Sequence, residues 1–233
     1  MKKKKVAILQ SNYIPWKGYF DMIHMVDEFV LYDDMQYTKR DWRNRNLIKT
    51  HSGLKWLTIP VVTKGRFDQK IKETEILSSK WCMEHWKSLQ VNYAKTPCFD
   101  IYAGRILEIY KRCQGEKYLS RVNYIFLKEI CDILGISTEI SWSSDYILNE
   151  GKTEKLVGIC VQAGADEYIS GPAAKDYIVP EAFAEAGIRL KYMDYSNYRE
   201  YPQLYGQFCH NVSILDMLFH LGENTFQYIE SIY

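Results

Sequence analysis

Short apolar runs alternate with stretches of helical period at both ends of this chain, and that alternation limits the fold more than any other feature. VAILQ (6–10) reads as a buried strand, WKGYFDMIHMV (16–26) as a short helix, and EFVLYDD (28–34) as a second strand ending in Asp33 and Asp34. The second half repeats the pattern. STEISW (137–142), EYIS (167–170) and IRLKYM (188–193) read as strands; KTEKLVGICVQA (152–163) and AAKDYIVPEAFAEA (173–186, with Pro180 inside it) read as the helices between them. Thr153 is the expected cap of the first of these. Strands separated by helices pair in parallel through right-handed crossovers, so the expectation is a layered α/β fold with a mostly parallel sheet and flanking helices. LKWLTIPVV (54–62) is a further strand, and TKGRFDQK (63–70) reads as its hairpin connection to IKETEI (71–76).

Between Trp81 and Leu134 the period becomes helical, clearest where Leu119, Val122, Phe126, Ile130 and Ile133 recur every three or four residues. Two or three helices fit there. The tail SILDMLFHLGENTFQYI (213–229) reads as a helix pair split at Gly222, with Ser213 as a cap. The economical organisation is one domain over 1–233 with a helical segment at about 80–134.

Composition removes several classes. Thirty Lys+Arg against 29 Asp+Glu is no electrostatic footprint for a nucleic-acid polymer. No apolar stretch reaches the roughly 18 to 20 residues of a membrane-spanning helix, so no membrane insertion is expected. The basic start MKKKKVAIL loses its apolar run at Gln10, which reads as a cytoplasmic protein without a signal peptide. The six cysteines are scattered, with no CxxC pair, so free thiols are expected and neither a zinc site nor a disulfide framework is supported. Tyr supplies 19 of the aromatic residues, and its flat face and hydroxyl suit polar ligands such as sugars and nucleotides.

In open α/β sheets ligands bind beyond the carboxyl ends of the strands, and four polar clusters fall there. The first, QSNYIPWKGYF, offers Gln10, Asn12, Tyr13 and Trp16 as walls and Gly18 for close backbone approach. The second, DDMQYTKRDWRNRN, holds Gln36, Lys39, Arg40, Trp42, Arg43, Asn44 and Arg45. Guanidinium forks match phosphates and indoles stack on bases or sugars, so this is either a phosphate-binding strip or a solvated charged loop. Asp33 or Asp34 could act as a base or help to hold a metal–phosphate unit, although neighbouring strand residues face opposite ways and would not work as a pair. The third cluster is SWSSD, after Ile140. The fourth, SGPAAKDY, brings Ser170, Gly171, Lys175 and Tyr177 to a strand-to-helix turn, which reads equally as an anion cradle or an ordinary cap. EGKTEKL lacks the first glycine of a Walker A loop, with Tyr146 in its place. A late aromatic loop adds Gln203 and His210.

ILQSNYIPWKGYFDMI (8–23), VLYDDMQYTKRDWRNRN (30–46), YISGPAAKDYI (168–178), MDYSNYREYPQLYGQF (193–208) and SILDMLFHLG (213–222) together resemble the WbqC-like family, in order and over nearly the whole chain. Some members carry His where Leu9 stands here, so a catalytic role for that position does not apply. The resemblance implies work on activated sugars in the cytoplasm, in polysaccharide and O-antigen biosynthesis, through acyl or aminoacyl transfer to the amine of a nucleotide-linked sugar. The implied partner is that small molecule, with an acyl donor, or ATP with Mg, as second requirement; a homo-oligomer is compatible. Asp33, Asp34 and Lys175 are the candidate catalytic groups. A weaker, architectural resemblance is to the nucleotidyltransferase and class I synthetase type of fold, without its HxGH motif. Metal-dependent nucleotidyl or glycosyl transfer, and a non-catalytic carbohydrate-binding role, are the alternatives.

Overall fold

A computed structural model describes residues 3–229. In chain order its strands are β1 (Lys5–Leu9), β2 (Glu28–Leu31), β3 (Arg45–Thr50), β4 (Gly53–Thr58), β5 (Glu139–Trp142), β6 (Glu167–Ser170) and β7 (Arg189–Tyr192). Its helices are α1 (Lys17–His24), α2 (Lys80–Tyr93), α3 (Phe99–Arg112), α4 (Leu119–Ile133), α5 (Lys152–Gln162), α6 (Pro180–Glu185), α7 (Ile214–Leu221) and α8 (Phe226–Ile229). Five strands form one parallel sheet in the order β5-β2-β1-β6-β7, with Ala7 of β1 beside Phe29 of β2 and Ile169 of β6. The α/β expectation holds, and its cause is visible in β2 and β6, where every residue is buried because helices cover both faces.

Alternate residues of β1 feed two cores. Ala7 packs with α1, the helical segment and α7; Val6 and Ile8 pack with Leu156 and Ile159 of α5 and Phe183 of α6. From β1 the chain proceeds to β2 and β5, then returns to lay β6 on the other flank of β1. The connection order therefore reverses between β1 and β6, which opens a crevice at their carboxyl ends. The helical segment consists of the three helices α2, α3 and α4. Tyr13 plugs it to the sheet: its hydroxyl pairs with His85 Nδ1 at 2.9 Å and Tyr110 Oη at 2.8 Å, and its ring meets Trp81 and Phe126 edge-on.

Three local expectations change. The hairpin pairs β3 with β4 around Ser52, and residues 63–70 form no hairpin; beyond them only an isolated bridge joins Val61 to Ile76. The charged residues of RNRN conceal β3, which nonetheless buries Asn46 and Ile48 on one side. The helix expected over 173–186 is two pieces, a 3-10 turn at Pro172–Asp176 and α6, because Pro180 lacks the N–H an interior position needs and opens a new helix instead. Thr153 does not cap α5. Gly151 does, at a φ of 89°, while the Thr153 hydroxyl accepts from Val179 N at 3.2 Å. Gly222, at a φ of 57°, separates α7 from the closing turn, and Ser213 caps α7 through Leu215 N at 3.3 Å.

Gly18 shows how tightly the first loop is packed. A Cβ there would lie 2.4 Å from Cζ2 of Trp16, so the indole rests on the bare backbone. Gly18→Ala should cost about 1–3 kcal/mol by overpacking and lower the melting temperature by several degrees. A thermal melt of the variant checks this; an unchanged midpoint would mean that the indole moves aside freely.

Candidate functional site

At the carboxyl edge of the sheet β1 runs into a loop held from several sides. Ser11 N donates to Asp33 Oδ1 at 2.8 Å, Ser120 Oγ donates to the other Asp33 oxygen, and Asn123 Nδ2 reaches Ser11 Oγ at 3.0 Å and the Arg43 carbonyl at 2.9 Å. Ile14, a buried β-branched residue, sits at a φ of 35°, a strained conformation for such a side chain. Asn46 holds it there, its amide donating to the Tyr13 and Ile14 carbonyls at 3.1 and 2.9 Å.

Arg43 lies at the crest of this loop. Its guanidinium donates to Asn12 Oδ1 and Gln10 Oε1, both neutral, and approaches Asp41 only to 3.8 Å. Its side chain is 13% exposed and its Nε has no partner. On one side of this crest is a pocket of about 220 Å³ lined by Asn12, Pro15, Trp16, Trp42, Asn46 and Asn211. On the other is a crevice of about 340 Å³. Ile8, Leu9, Met35 and Leu156 give that crevice apolar walls, Tyr32, Tyr168 and Tyr177 add phenols, and Gln10, Lys152 and Lys155 complete it. Gln10 lines the crevice and Asn12 lines the pocket, so the two hydrogen bonds of Arg43 tie one hollow to the other.

The residues singled out in the sequence divide accordingly. Asn12, Trp16 and Trp42 meet at the pocket; Gln10 and Tyr177 meet at the crevice. Tyr13 belongs to the core, and Gly18 serves the Trp16 ring. The charged strip does not form one face. Arg43 points inward, Arg45 stacks on Trp56 at 4.0 Å and donates to the Arg40 carbonyl, Lys39 lies over Phe67 at 5.5 Å, Gln36 donates to the Phe67 carbonyl, and Asn44 is buried against the Ile59 carbonyl.

The carboxylates are both engaged. Asp33 is 1% exposed, and burial pushes its carboxyl up although Ser120 and Ser11 hydrogen-bond it. Burial pushes Asp34 up as well, but Lys72 at 2.6 Å, Ser143 at 3.0 Å and Lys70 at 3.2 Å outweigh it and hold Asp34 below the usual carboxylate range. Ser170 is buried beneath the Tyr168 hydroxyl, and Gly171 has an ordinary φ of −72° with open space where a Cβ would stand. Lys175 lies over the Tyr192 ring at 5.2 Å. Gln203 is fully employed within its own loop, accepting from Lys49 Nζ and Cys209 N and donating to Tyr201 and Asp216. His210 packs edge-on against Phe208, and burial lowers its pKa.

Sequence reasoning left Asn46, Asn211, Lys152 and Lys155 out of the candidate site, although Asn46 lies in the arginine-rich run and both lysines lie in the rejected Walker A stretch EGKTEKL. The signal for the lysines was their place at the start of the helix that crosses back to β6. Among the described residues no three His, Cys, Asp or Glu side chains group to hold a metal ion, and no helix is long and apolar enough to cross a membrane. All six cysteines are free.

A five-stranded parallel sheet with helices on both faces and two hollows at its carboxyl edge defines a layered α/β protein. Residues 10–228 match the model of the WbqC-like protein family, and the chain belongs to that family. Its similarity to the uncharacterized protein Rv1507c of Mycobacterium tuberculosis (strain ATCC 25618 / H37Rv) is 53% identity over 226 residues, which is 97% of each chain. No solved structure matches.

Asp34 supplies a pH test. Its folded pKa is depressed, so its contribution to stability is present above the unfolded value of about 3.9 and is lost as pH falls through the folded value. Asp34→Asn should lower stability at pH 7 by about 1.5–3 kcal/mol, the range for hydrogen bonds to a charged group, and flatten the decline in melting temperature below about pH 5. Parallel acid profiles for the two proteins would remove Asp34 from this role.

Proposed function

We propose that the protein is a cytoplasmic enzyme of surface-polysaccharide biosynthesis that acts on a nucleotide-linked amino sugar, transferring an acyl or aminoacyl group to its amine. The observation that carries this reading is the pocket beside Arg43. Two indoles and three carboxamides, with no charged side chain among them, suit a neutral polar ring with an apolar face. A volume of about 220 Å³ has room for a sugar ring rather than a whole nucleotide. Arg43, hydrogen-bonded to the pocket's Asn12 and 3.8 Å from Asp41, is the cation this reading assigns to a phosphate attached to that ring. The family resemblance, with its association with polysaccharide and O-antigen loci, supports the same substrate class.

In the transfer the sugar nitrogen attacks the acyl carbonyl carbon, a C–N bond forms, and the bond from that carbon to the donor's leaving group breaks. The amine proton leaves with the departing group. Asp33, sealed in its network, and Asp34, between two lysines, support the loop in this scheme rather than take the proton. The same pairing with Lys70 and Lys72 lends no support to Asp34 as a metal ligand.

Trp42 gives the direct test because it is 40% exposed and its loss should scarcely affect folding. Trp42→Ala should weaken binding of a nucleotide-linked amino sugar by about 1 kcal/mol, roughly fivefold in Kd, measured by calorimetry. Equal affinity would remove the pocket from the site. Incubation with that sugar and either an acyl-CoA or an amino acid with ATP should yield an N-acylated product by mass spectrometry. Binding without product from either donor would favour a carbohydrate-binding role.

A further inference from the structure

The larger hollow calls for a ligand of different chemistry from the tryptophan-walled pocket. It lies where the strand connections reverse, outside the carboxyl ends of β1 and β6, the position at which open α/β sheets hold their ligands. Its volume of about 340 Å³ falls within the roughly 300–1,000 Å³ of small-molecule sites. Two cations stand at its rim. Lys152 and Lys155 come from the first turn of α5, and neither pairs with a carboxylate among the described residues. Of the acids in this part of the chain, Asp34 is neutralised by Lys70 and Lys72, and Glu154 folds back over Gly151; neither lines the crevice. The charged side chains that line the crevice are therefore two ammonium groups, both from the first turn of α5.

Below the lysines the walls are apolar and aromatic. Ile8, Leu9 and Leu156 offer a dry floor, while Tyr32 and the 52% exposed Tyr177 offer ring faces. A bare anion needs only the lysines; the floor and the phenols fit a planar ring carried by that anion. We infer that the crevice between β1 and β6 is a binding site for a nucleoside phosphate, with Lys152 and Lys155 on the phosphate and Tyr177 and the apolar floor on the base and ribose. This goes beyond the sugar pocket and stands without it.

The test is calorimetry of the full chain with AMP and UMP at fixed low salt, alongside adenosine and inorganic phosphate. At least one monophosphate should bind, more tightly than adenosine or phosphate alone. Lys152→Ala/Lys155→Ala should weaken that binding at least tenfold and Tyr177→Ala at least threefold. The control Lys87→Ala/Lys95→Ala removes two exposed lysines of α2 and the turn after it, and should bind as the parent does. If the lysine variant does not fold by its melting curve, Tyr177→Ala and Lys155→Arg, which keeps the charge and should keep binding, carry the decision. Binding of neither monophosphate, or binding untouched by the crevice variants, would overturn the site. Competition then identifies the source. Displacement by a UDP-linked hexosamine that is weakened in Trp42→Ala makes the nucleotide the sugar substrate's own arm; displacement by ATP alone makes it a second substrate. Both outcomes uphold the crevice, and only the first also upholds the sugar pocket.

Discussion

Asp33 is the tie on which the rest of the edge depends. A carboxylate with almost no solvent exposure is costly to bury unless its lone pairs are filled, and here Ser11 N and Ser120 Oγ fill them. Those two donors come from the end of β1 and from the first turn of α4, elements far apart in sequence. Asn123, one turn further along α4, adds Ser11 Oγ and the Arg43 carbonyl to the same network. The strand ends, the helical segment and the arginine crest are therefore fixed by one connected set of polar groups, with Asn123 Oδ1 and Arg43 Nε left over in it. In a low-dielectric interior each of these bonds costs more to break than it would in water, which ties the elements to one arrangement.

Around that tie, charge and neutrality are kept apart. The tryptophan-walled pocket is edged by carboxamides, the crevice by ammonium groups, and the guanidinium between them is held by one amide from each side. An acid at the position of Gln10 or Asn12 would pair with Arg43 and cancel the charge it offers to an anion. Amides hold the same geometry and leave the charge in place.

The parallel sheet was legible because VAIL and EFVL carry no polar alternation, as strands covered on both faces must. The helical segment was legible from its period. β3 was not, since its start reads RNRN, and an Asn that is buried to brace a neighbouring turn looks in sequence like an Asn in solvent. Tyr13 shows the same limit from the other side. A loop tyrosine beside candidate ligands looks like a wall of the site, whereas here its hydroxyl is consumed by His85 and Tyr110 in the core. Lys152 and Lys155 are ordinary helix-start residues until the topology carries that helix end back over β1.

Asn46 has a consequence for recognition. Both of its amide protons go to the carbonyls of Tyr13 and Ile14, and its oxygen already accepts from Leu47 N at 2.7 Å. What remains for a guest is one lone pair. Asn12 is the reverse: its oxygen is given to Arg43, so its NH₂ group is what it has left to offer. Two residues of identical chemistry that line one small hollow thus have opposite polarity left over, an acceptor on Asn46 and donors on Asn12. On the proposed reading, a guest that carries a hydroxyl or amine proton toward Asn46 and an oxygen lone pair toward Asn12 would be held in one orientation, and its flipped pose would leave like groups facing each other.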